Sequence, residues 1–406
     1  MKVLMINKFL YPNGGSETYI FNLGKALSEA GHEVQYFGME HEGRCVGNDV
    51  NAYTADMEFH SGSAFTKITY PVKTIYSKEA RKKIRLVLEN FKPDVCHLNN
   101  FNYQLTPSVI LEIRKWEKES GHRVRIIYTA HDYQLICPNH MLYNPSSHTL
   151  CEQCTKDGFG SCYKGRCIHG SSARSLIGTM EGIYWKKRKT YCEIDAVICP
   201  SEFMKKKLDL SEELRGRTLT LHNFLDMKPF SSGFDSQQDN YILYFGRLSQ
   251  EKGIATLLSA CRALPQIPFI FAGTGPMDAA VKEVPNVHYV GFQTGEALQQ
   301  LINRARLTVY PSEWYENCPY SVMESQTMGT PVLASKIGGI PELVKAGISG
   351  ELFTAGDVED LKSHLIGMWS NPSKINRYRR GCSTVHFDTA EQYCCKILKV
   401  YKDNQQ

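Results

Sequence analysis

Short apolar, β-branched runs alternate with longer stretches of helical periodicity along most of this chain. In the first half the runs at 2–7, 33–38, 94–98, 123–129 and 196–200 read as strands. In the second half the corresponding runs lie at 241–245, 269–272, 287–291, 307–311 and 331–335. Helical periodicity fills many of the gaps between them, as at 17–30, 107–118, 253–264 and 294–305. Such alternation predicts parallel sheets wound by right-handed crossovers. Near-continuous apolar strands suit sheets that are covered on both faces. A polar, turn-rich stretch at 230–240 (FSSGFDSQQDN) separates the two series. The expected fold is therefore α/β, with two doubly wound, Rossmann-like domains facing across a cleft. Their expected limits are 1–220, with an insertion at 137–170, and 221–385; a helix within 386–406 closes the chain. The pattern leaves open which domain that helix covers. Ligands of such sheets bind at the carboxyl ends of the strands.

Length and composition sharpen this picture. At 406 residues the chain exceeds what one core can hold. Fourteen cysteines are too few for a disulfide scaffold, and several, such as Cys96, Cys199 and Cys261, sit singly inside apolar runs. The first residues run directly into a strand, with no secretory leader and no membrane-spanning run, so a cytoplasmic protein is expected. The net charge of +5 is uneven: 30 Lys/Arg against 24 Asp/Glu in 1–220, then 17 against 18. Basic runs lie at 67–92 (with Arg81, Lys82, Lys83 and Arg85), 186–189 and 205–207. Arg-rich aromatic motifs for nucleic acid are absent, so an anionic membrane surface is the expected partner and peripheral attachment to the inner face the expected location.

Four segments carry candidate chemistry. The first strand leads into Asn7-Lys8-Phe9-Leu10-Tyr11-Pro12-Asn13-Gly14-Gly15 before a helix, where glycines let backbone N–H groups approach an anion. This is not the Gly-x-Gly-x-x-Gly pattern of dinucleotide binders. The second domain opens with Gly246-Arg247-Leu248-Ser249-Gln250-Glu251-Lys252-Gly253, two cations suited to a diphosphate without a metal. Next comes Glu316-Asn317-Cys318-Pro319-Tyr320-Ser321-Val322-Met323-Glu324. Pro319 reads as the first residue of a helix, and carboxylates such as Glu316 and Glu324 suit vicinal sugar hydroxyls. His131 ends another first-domain strand in Tyr128-Thr129-Ala130-His131-Asp132.

Together with Gly329-Thr330-Pro331 and Gly338-Gly339-Ile340-Pro341-Glu342, these segments closely resemble the retaining glycosyltransferases of family 4, which have the GT-B fold. The resemblance implies that Arg247 and Lys252 bind the donor diphosphate, beside Asn317, Cys318, Pro319, Tyr320 and Ser321 at a helix start. It implies that Glu316 reaches the donor sugar and Glu324 the ribose. Gly14 and Gly15 would lie beside the phosphates and the sugar, and His131 would hydrogen-bond the sugar at the reaction centre. Glu316, His131, Arg247 and Lys252 are thus the expected catalytic set. The expected partners are a UDP- or GDP-sugar donor and a glycan acceptor on a polyprenyl lipid, with no cofactor required for catalysis. A nucleotide-sugar epimerase or a non-catalytic sugar-nucleotide binder are the alternative readings.

The segment after His131 adds Cys137, Cys151, Cys154, Cys162 and Cys167 in a polar, Gly-rich stretch. Cys-x2-Cys flanked by further cysteines is metal-site spacing. A structural zinc on Cys137, Cys151, Cys154 and Cys167 is the candidate, with Cys162 or His169 as substitutes. The resemblance implies a similar insertion in a subset of family 4 enzymes for bacterial surface polysaccharides.

Overall fold

The computed structural model describes residues 1–55, 73–227 and 240–402. The expected break at 230–240 lies outside them, apart from Asn240. The chain divides into two compact units, one of Met1–Ser147, Cys151–Phe224 and Ala390–Gln406, the other of His148–Leu150 and Leu225–Thr389. The divisions at 224/225 and 389/390 fall four residues beyond the expected 220/221 and 385/386. Phe224 explains the first difference, because its ring is buried in the first unit against Tyr19 and Tyr393.

In the first unit, strands β1 (Lys2–Ile6), β2 (Glu33–Phe37), β3 (Val95–Leu98), β4 (Arg125–Thr129), β5 (Ala196–Cys199) and β6 (Thr218–Thr220) form one sheet in the order β2-β1-β3-β4-β5-β6. Every pairing is parallel. Strands β3 and β5 are buried at every position, which is why they read as unbroken apolar runs. Helices α1 (Gly15–Glu29), α2 (Lys78–Phe91), α3 (Ser108–Ser120), α4 (Gln153–Asp157), α5 (Gly160–Lys164) and α6 (Ser172–Lys187) follow in the chain, then α7 (Glu202–Leu208). Ser77, Ser171 and Ser201 cap α2, α6 and α7 by accepting from the N–H three residues on.

In the second unit, β7 (Ile242–Phe245), β8 (Phe269–Ala272), β9 (Val287–Gly291), β10 (Leu307–Tyr310), β11 (Val332–Ser335) and β12 (Gly350–Phe353) are again all parallel. Their order is β9-β8-β7-β10-β11-β12. The chain winds outward in one direction from β7 and in the other from β10, so the topological switch point lies between these two strands. Helices α8 (Ile254–Ala263), α9 (Gly295–Arg304), α10 (Tyr320–Thr327), α11 (Ile340–Leu343), α12 (Val358–Trp369) and α13 (Pro372–Cys382), with a short helical turn at Asp278–Lys282, lie in this unit. Strands β6 and β12 went unnoticed in the sequence pattern, being short edge strands with a polar Thr-Leu-Thr run and a Gly-Glu start.

The last helix, α14 (Ala390–Lys402), belongs to the first unit and buries Tyr393, Cys394, Ile397 and Tyr401. Two polar contacts fix its register. The Tyr393 hydroxyl meets the Tyr19 hydroxyl at 2.8 Å, and the Tyr401 hydroxyl meets His97 Nδ1 at 2.7 Å. The other nitrogen of His97 meets Thr129 Oγ1 at 2.7 Å. Burial drives the His97 imidazole down to about 3, so it is neutral and serves as a core hydrogen-bonding group.

Candidate active site

The residues with most candidate chemistry gather at the switch point of the second sheet. The turn after β7 carries Arg247, and Lys252 ends a 3-10 turn, Gln250–Lys252, just before α8. The loop after β10 carries Glu316. Gly253 (φ 72°) locks the two together: a Cβ there would stand 1.8 Å from the Pro311 carbonyl oxygen. No other residue type fits this approach.

Glu316 is buried and held by four donors. Lys252 Nζ and Trp314 Nε1 each donate to its Oε1 at 2.6 Å, Ser312 Oγ at 2.8 Å and Tyr310 Oη at 3.0 Å. All four fall on one oxygen, and Oε2 takes none of them. The Lys252 ammonium also lies 5.0 Å from the centre of the Trp314 ring. The Gly338–Gly339 turn closes over the back of this loop, with Gly339 N–H donating to the Glu316 carbonyl at 2.7 Å. Gly338 (φ 59°) leaves no room for a Cβ, which would lie 2.3 Å from that same carbonyl.

Two groups of these motifs make no side-chain hydrogen bond or ion pair among the described residues. The Arg247 guanidinium is exposed and makes no ion pair among the described residues. Glu324, in α10, is half-buried, and no described side chain donates to its carboxylate. Burial alone pushes that carboxyl up to about 7. A bound ligand with hydroxyl donors would supply what this carboxylate lacks.

Pro319 is the N-cap of α10, not its first residue: its ψ of 125° is extended, and the helix begins at Tyr320. Pro319 supplies no side-chain cap, so the positive end of this helix is suited to an anion. Asn317, Tyr320 and Ser321 are half-buried around this end. Cys318 differs. It is buried, with its sulfur 3.6 Å from that of Met323, in the apolar cluster beneath the site.

In the first unit, Gly14 is the N-cap of α1 in extended backbone, and Gly15 begins the helix. A Cβ on Gly14 would meet only Glu17 Oε2, at 3.6 Å, so the fold itself does not require glycine there. The Glu17 carboxylate is turned inward, accepting from Asn7 Nδ2 at 2.9 Å and Ser16 Oγ at 3.0 Å. His131 follows β4. Its Nε2 lies 2.8 Å from Asn99 Oδ1, an acceptor, so Nε2 carries the proton and Nδ1 is the basic nitrogen. Burial holds the His131 imidazole down to about 4, against the pull of Asp132.

The cysteine segment forms part of the first unit between β4 and α6, apart from 148–150. Among the described residues no group of three or more His, Cys, Asp or Glu side chains is placed to hold a metal ion. Cys154, Cys162 and Cys167 pack into one small buried cluster. Cys162 donates to Cys167, which pulls the Cys167 thiol down to about 7 and pushes Cys162 up. Cys137 is buried with its thiol on Asn139 Oδ1 at 2.8 Å, and Cys151 is half-buried. Cys154 has Cys137, Cys151 and Cys167 as charge neighbours, so the four expected thiols gather in one region of the first unit.

Sequence reasoning missed the groups that hold this site. Tyr310, Ser312 and Trp314 lie in the same motif as Glu316, but no spacing rule marks them as its donors. Gly273 and Gly275 were also missed: a Cβ on either would strike the backbone of Gly246 or Leu248, at 1.9 and 2.3 Å. The signal was the Gly-Thr-Gly-Pro run after β8.

Residues 13–228 match the family model described as Glycosyltransferase Family 4. The chain belongs to that family. Residues 228–381 of this glycosyltransferase match a second model, "Glycosyl transferases group 1". An uncharacterized 42.6 kDa protein in the cps region of Klebsiella pneumoniae is 24% identical over 419 residues, spanning 99% of this chain and 100% of its own. Among solved structures, sucrose-phosphate synthase from Thermosynechococcus elongatus superposes with a TM-score of 0.69 at 18% identity, covering 99% of this chain and 98% of that one. HepE of Anabaena, solved in complex with UDP, gives 0.64 at 17% identity, covering 98% and 100%. These likenesses and the two parallel sheets make the fold GT-B. Among the described residues no helix is long and apolar enough to cross a membrane.

Proposed function

We propose that this glycosyltransferase moves a hexosyl or N-acetylhexosaminyl group, with retention, from a UDP- or GDP-sugar to a polyprenyl-linked glycan at an anionic membrane surface, in surface-polysaccharide assembly. The observation that carries the reading is the Glu316 carboxylate, fixed by four donors at the switch point, with the unpaired Arg247 in the adjoining turn. The Klebsiella relative of matching length, named for the cps region, supports the polysaccharide setting. The UDP held by HepE supports a nucleotide donor.

The steps follow from charge. Departure of the nucleoside diphosphate develops negative charge, which Arg247, Lys252 and the positive end of α10 would stabilise. Glu316 Oε2 would accept from a sugar hydroxyl near the reacting carbon, and Glu324 from the ribose hydroxyls. His131, neutral at working pH, would exchange a hydrogen bond with the sugar through Nδ1. The acceptor oxygen would attack on the face the diphosphate leaves, with a phosphate oxygen taking its proton. The two protein cations suffice for the diphosphate in this scheme, so turnover would not require a divalent metal.

A panel of nucleotide sugars, each assayed for binding and slow hydrolysis, tests the donor. One UDP- or GDP-sugar is expected to stand out, and Arg247→Ala to lower its kcat/KM about 100-fold. Turnover within twofold of wild type in that variant would remove Arg247 from the leaving-group role.

Glu324 gives the proposal a pH signature. For folding, a carboxyl raised from 4.5 to about 7 favours the neutral form, so stability falls as pH rises through that window. For binding the sign reverses. Ribose hydroxyls donate to the charged form, so ligand binding draws the pKa down and releases a proton. Affinity for the nucleoside diphosphate is expected to rise up to about tenfold between about pH 6 and pH 8. Calorimetry in buffers of different ionisation heat reads the released proton directly. Glu324→Gln should abolish the release; if the proton is still released, another group is its source.

A further inference from the structure

The sequence contains three basic runs, and the structure separates them. In α2, Arg81 is paired with Glu112, and Arg85 with Glu89, Glu112 and Glu119. In α7, Lys205 is paired with Asp209, and Lys207 with Glu152. Lys67 lies outside the described residues. Lys82 and Lys206 of these two runs are exposed without an ion pair, but only the run at 186–189 is so throughout: Lys186, Lys187, Arg188 and Lys189 are all exposed, and none makes an ion pair among the described residues. Lys186 and Arg188 lie over the rings of Phe159 and Tyr184. Glu213 is the acidic group that faces Lys186 and Lys189, and it is half-buried, with its carboxyl raised by burial.

That run ends α6, whose outer face is apolar. Leu176, Met180 and Ile183 are 43%, 52% and 39% exposed. Their spacing of four and then three residues sets them in one stripe along the helix. Arg174 is exposed two residues before Leu176, at the start of the stripe, and the basic run follows the stripe at its finish. The single acidic residue of α6, Glu181, is buried on the opposite face, and burial pushes its carboxyl up to about 8. The exposed positions of 172–189 therefore carry five basic side chains and no acidic one.

We propose that the outer face of α6 is the membrane-docking surface of this enzyme, with Leu176, Met180 and Ile183 entering the headgroup boundary and the 186–189 cations binding anionic lipid. The inference rests on the membrane-surface reading proposed above and names the surface that serves it. Apolar side chains beside unpaired cations are what an interfacial helix needs. Charge decides between a bilayer and a protein partner: five exposed cations faced by one half-buried carboxyl, Glu213, leave a net positive surface that complements a leaflet of anionic headgroups. A second copy of this chain would present the same five cations and repel.

The test is sedimentation of the full chain with vesicles of phosphatidylcholine, alone or with about 30% phosphatidylglycerol. Wild type is expected to bind the anionic vesicles at least about tenfold more tightly than the neutral ones, and less at high salt. Leu176→Gln/Met180→Gln/Ile183→Gln, and separately Lys186→Gln/Lys187→Gln/Arg188→Gln/Lys189→Gln, are each expected to lose about tenfold or more. All of these positions are exposed, so thermal midpoint and nucleoside diphosphate binding should stay at wild-type values. No preference of wild type for anionic vesicles would overturn both this surface and the membrane reading. Wild-type binding with unimpaired variants would overturn this surface alone. A dimer that dissolves in the apolar variant, seen by sedimentation velocity, would make the stripe a protein interface instead.

Discussion

Glu316→Gln is expected to lower kcat for sugar transfer by about 10²–10³-fold while nucleoside diphosphate binding changes little. The amide oxygen can stand where Oε1 stands and accept from Lys252, Tyr310, Ser312 and Trp314. The amide nitrogen then replaces Oε2 and turns an acceptor into a donor, so a sugar hydroxyl loses its partner. Alanine is a poorer probe, because both variants remove the charge beside Lys252 but only alanine also removes the oxygen on which all four donors converge. Single-turnover kinetics with the best donor, set beside calorimetry with the free nucleoside diphosphate, separate the two effects. Near-normal kcat in the glutamine variant would show that Glu316 only supports the loop.

Truncation after Thr389 is expected to unfold the first unit, although it removes no residue of either sheet. The lost helix buries Tyr393, Ile397 and Tyr401, each contributing about 1.5–3 kcal/mol of burial. Its loss also strips the Tyr401 hydroxyl from His97 and the Tyr393 hydroxyl from Tyr19, at about 1–3 kcal/mol for each buried group left unpaired. The sum rivals the whole stability of an ordinary domain, about 5–15 kcal/mol. Urea unfolding followed by circular dichroism measures it, with Tyr401→Phe as the mild control that opens one hydrogen bond. A truncated chain that unfolds at the same urea concentration as the full one would mean that α14 merely decorates the surface.

Much of this was legible in the sequence because it depends on local signals. Buried parallel strands such as β3 and β5 announce themselves as apolar runs, whereas the edge strands β6 and β12 do not. Arg247, Lys252, Glu316 and Glu324 could be named from their motifs. What holds them could not, since the four donors on Glu316 converge from two separate segments only after β7 and β10 lie side by side. Charge runs were the least legible feature. Arg81 and Lys187 look alike in a sequence, and only the acidic residues brought near by folding set them apart. The cysteine spacing marked out a segment whose thiols do become neighbours on folding.

The glycines at 253 and 338 have a consequence for redesign. One lets the cation-bearing turn press against Pro311, and the other lets a later turn press against Glu316, with no gap at either contact. These three stretches therefore behave as one interlocking part. An attempt to change donor preference by grafting residues 311–319 from a relative would meet a mismatched socket. With the 273–275 turn, which presses on Gly246 and Leu248, the smallest portable module is 246–253, 273–275, 311–319 and 336–342 together.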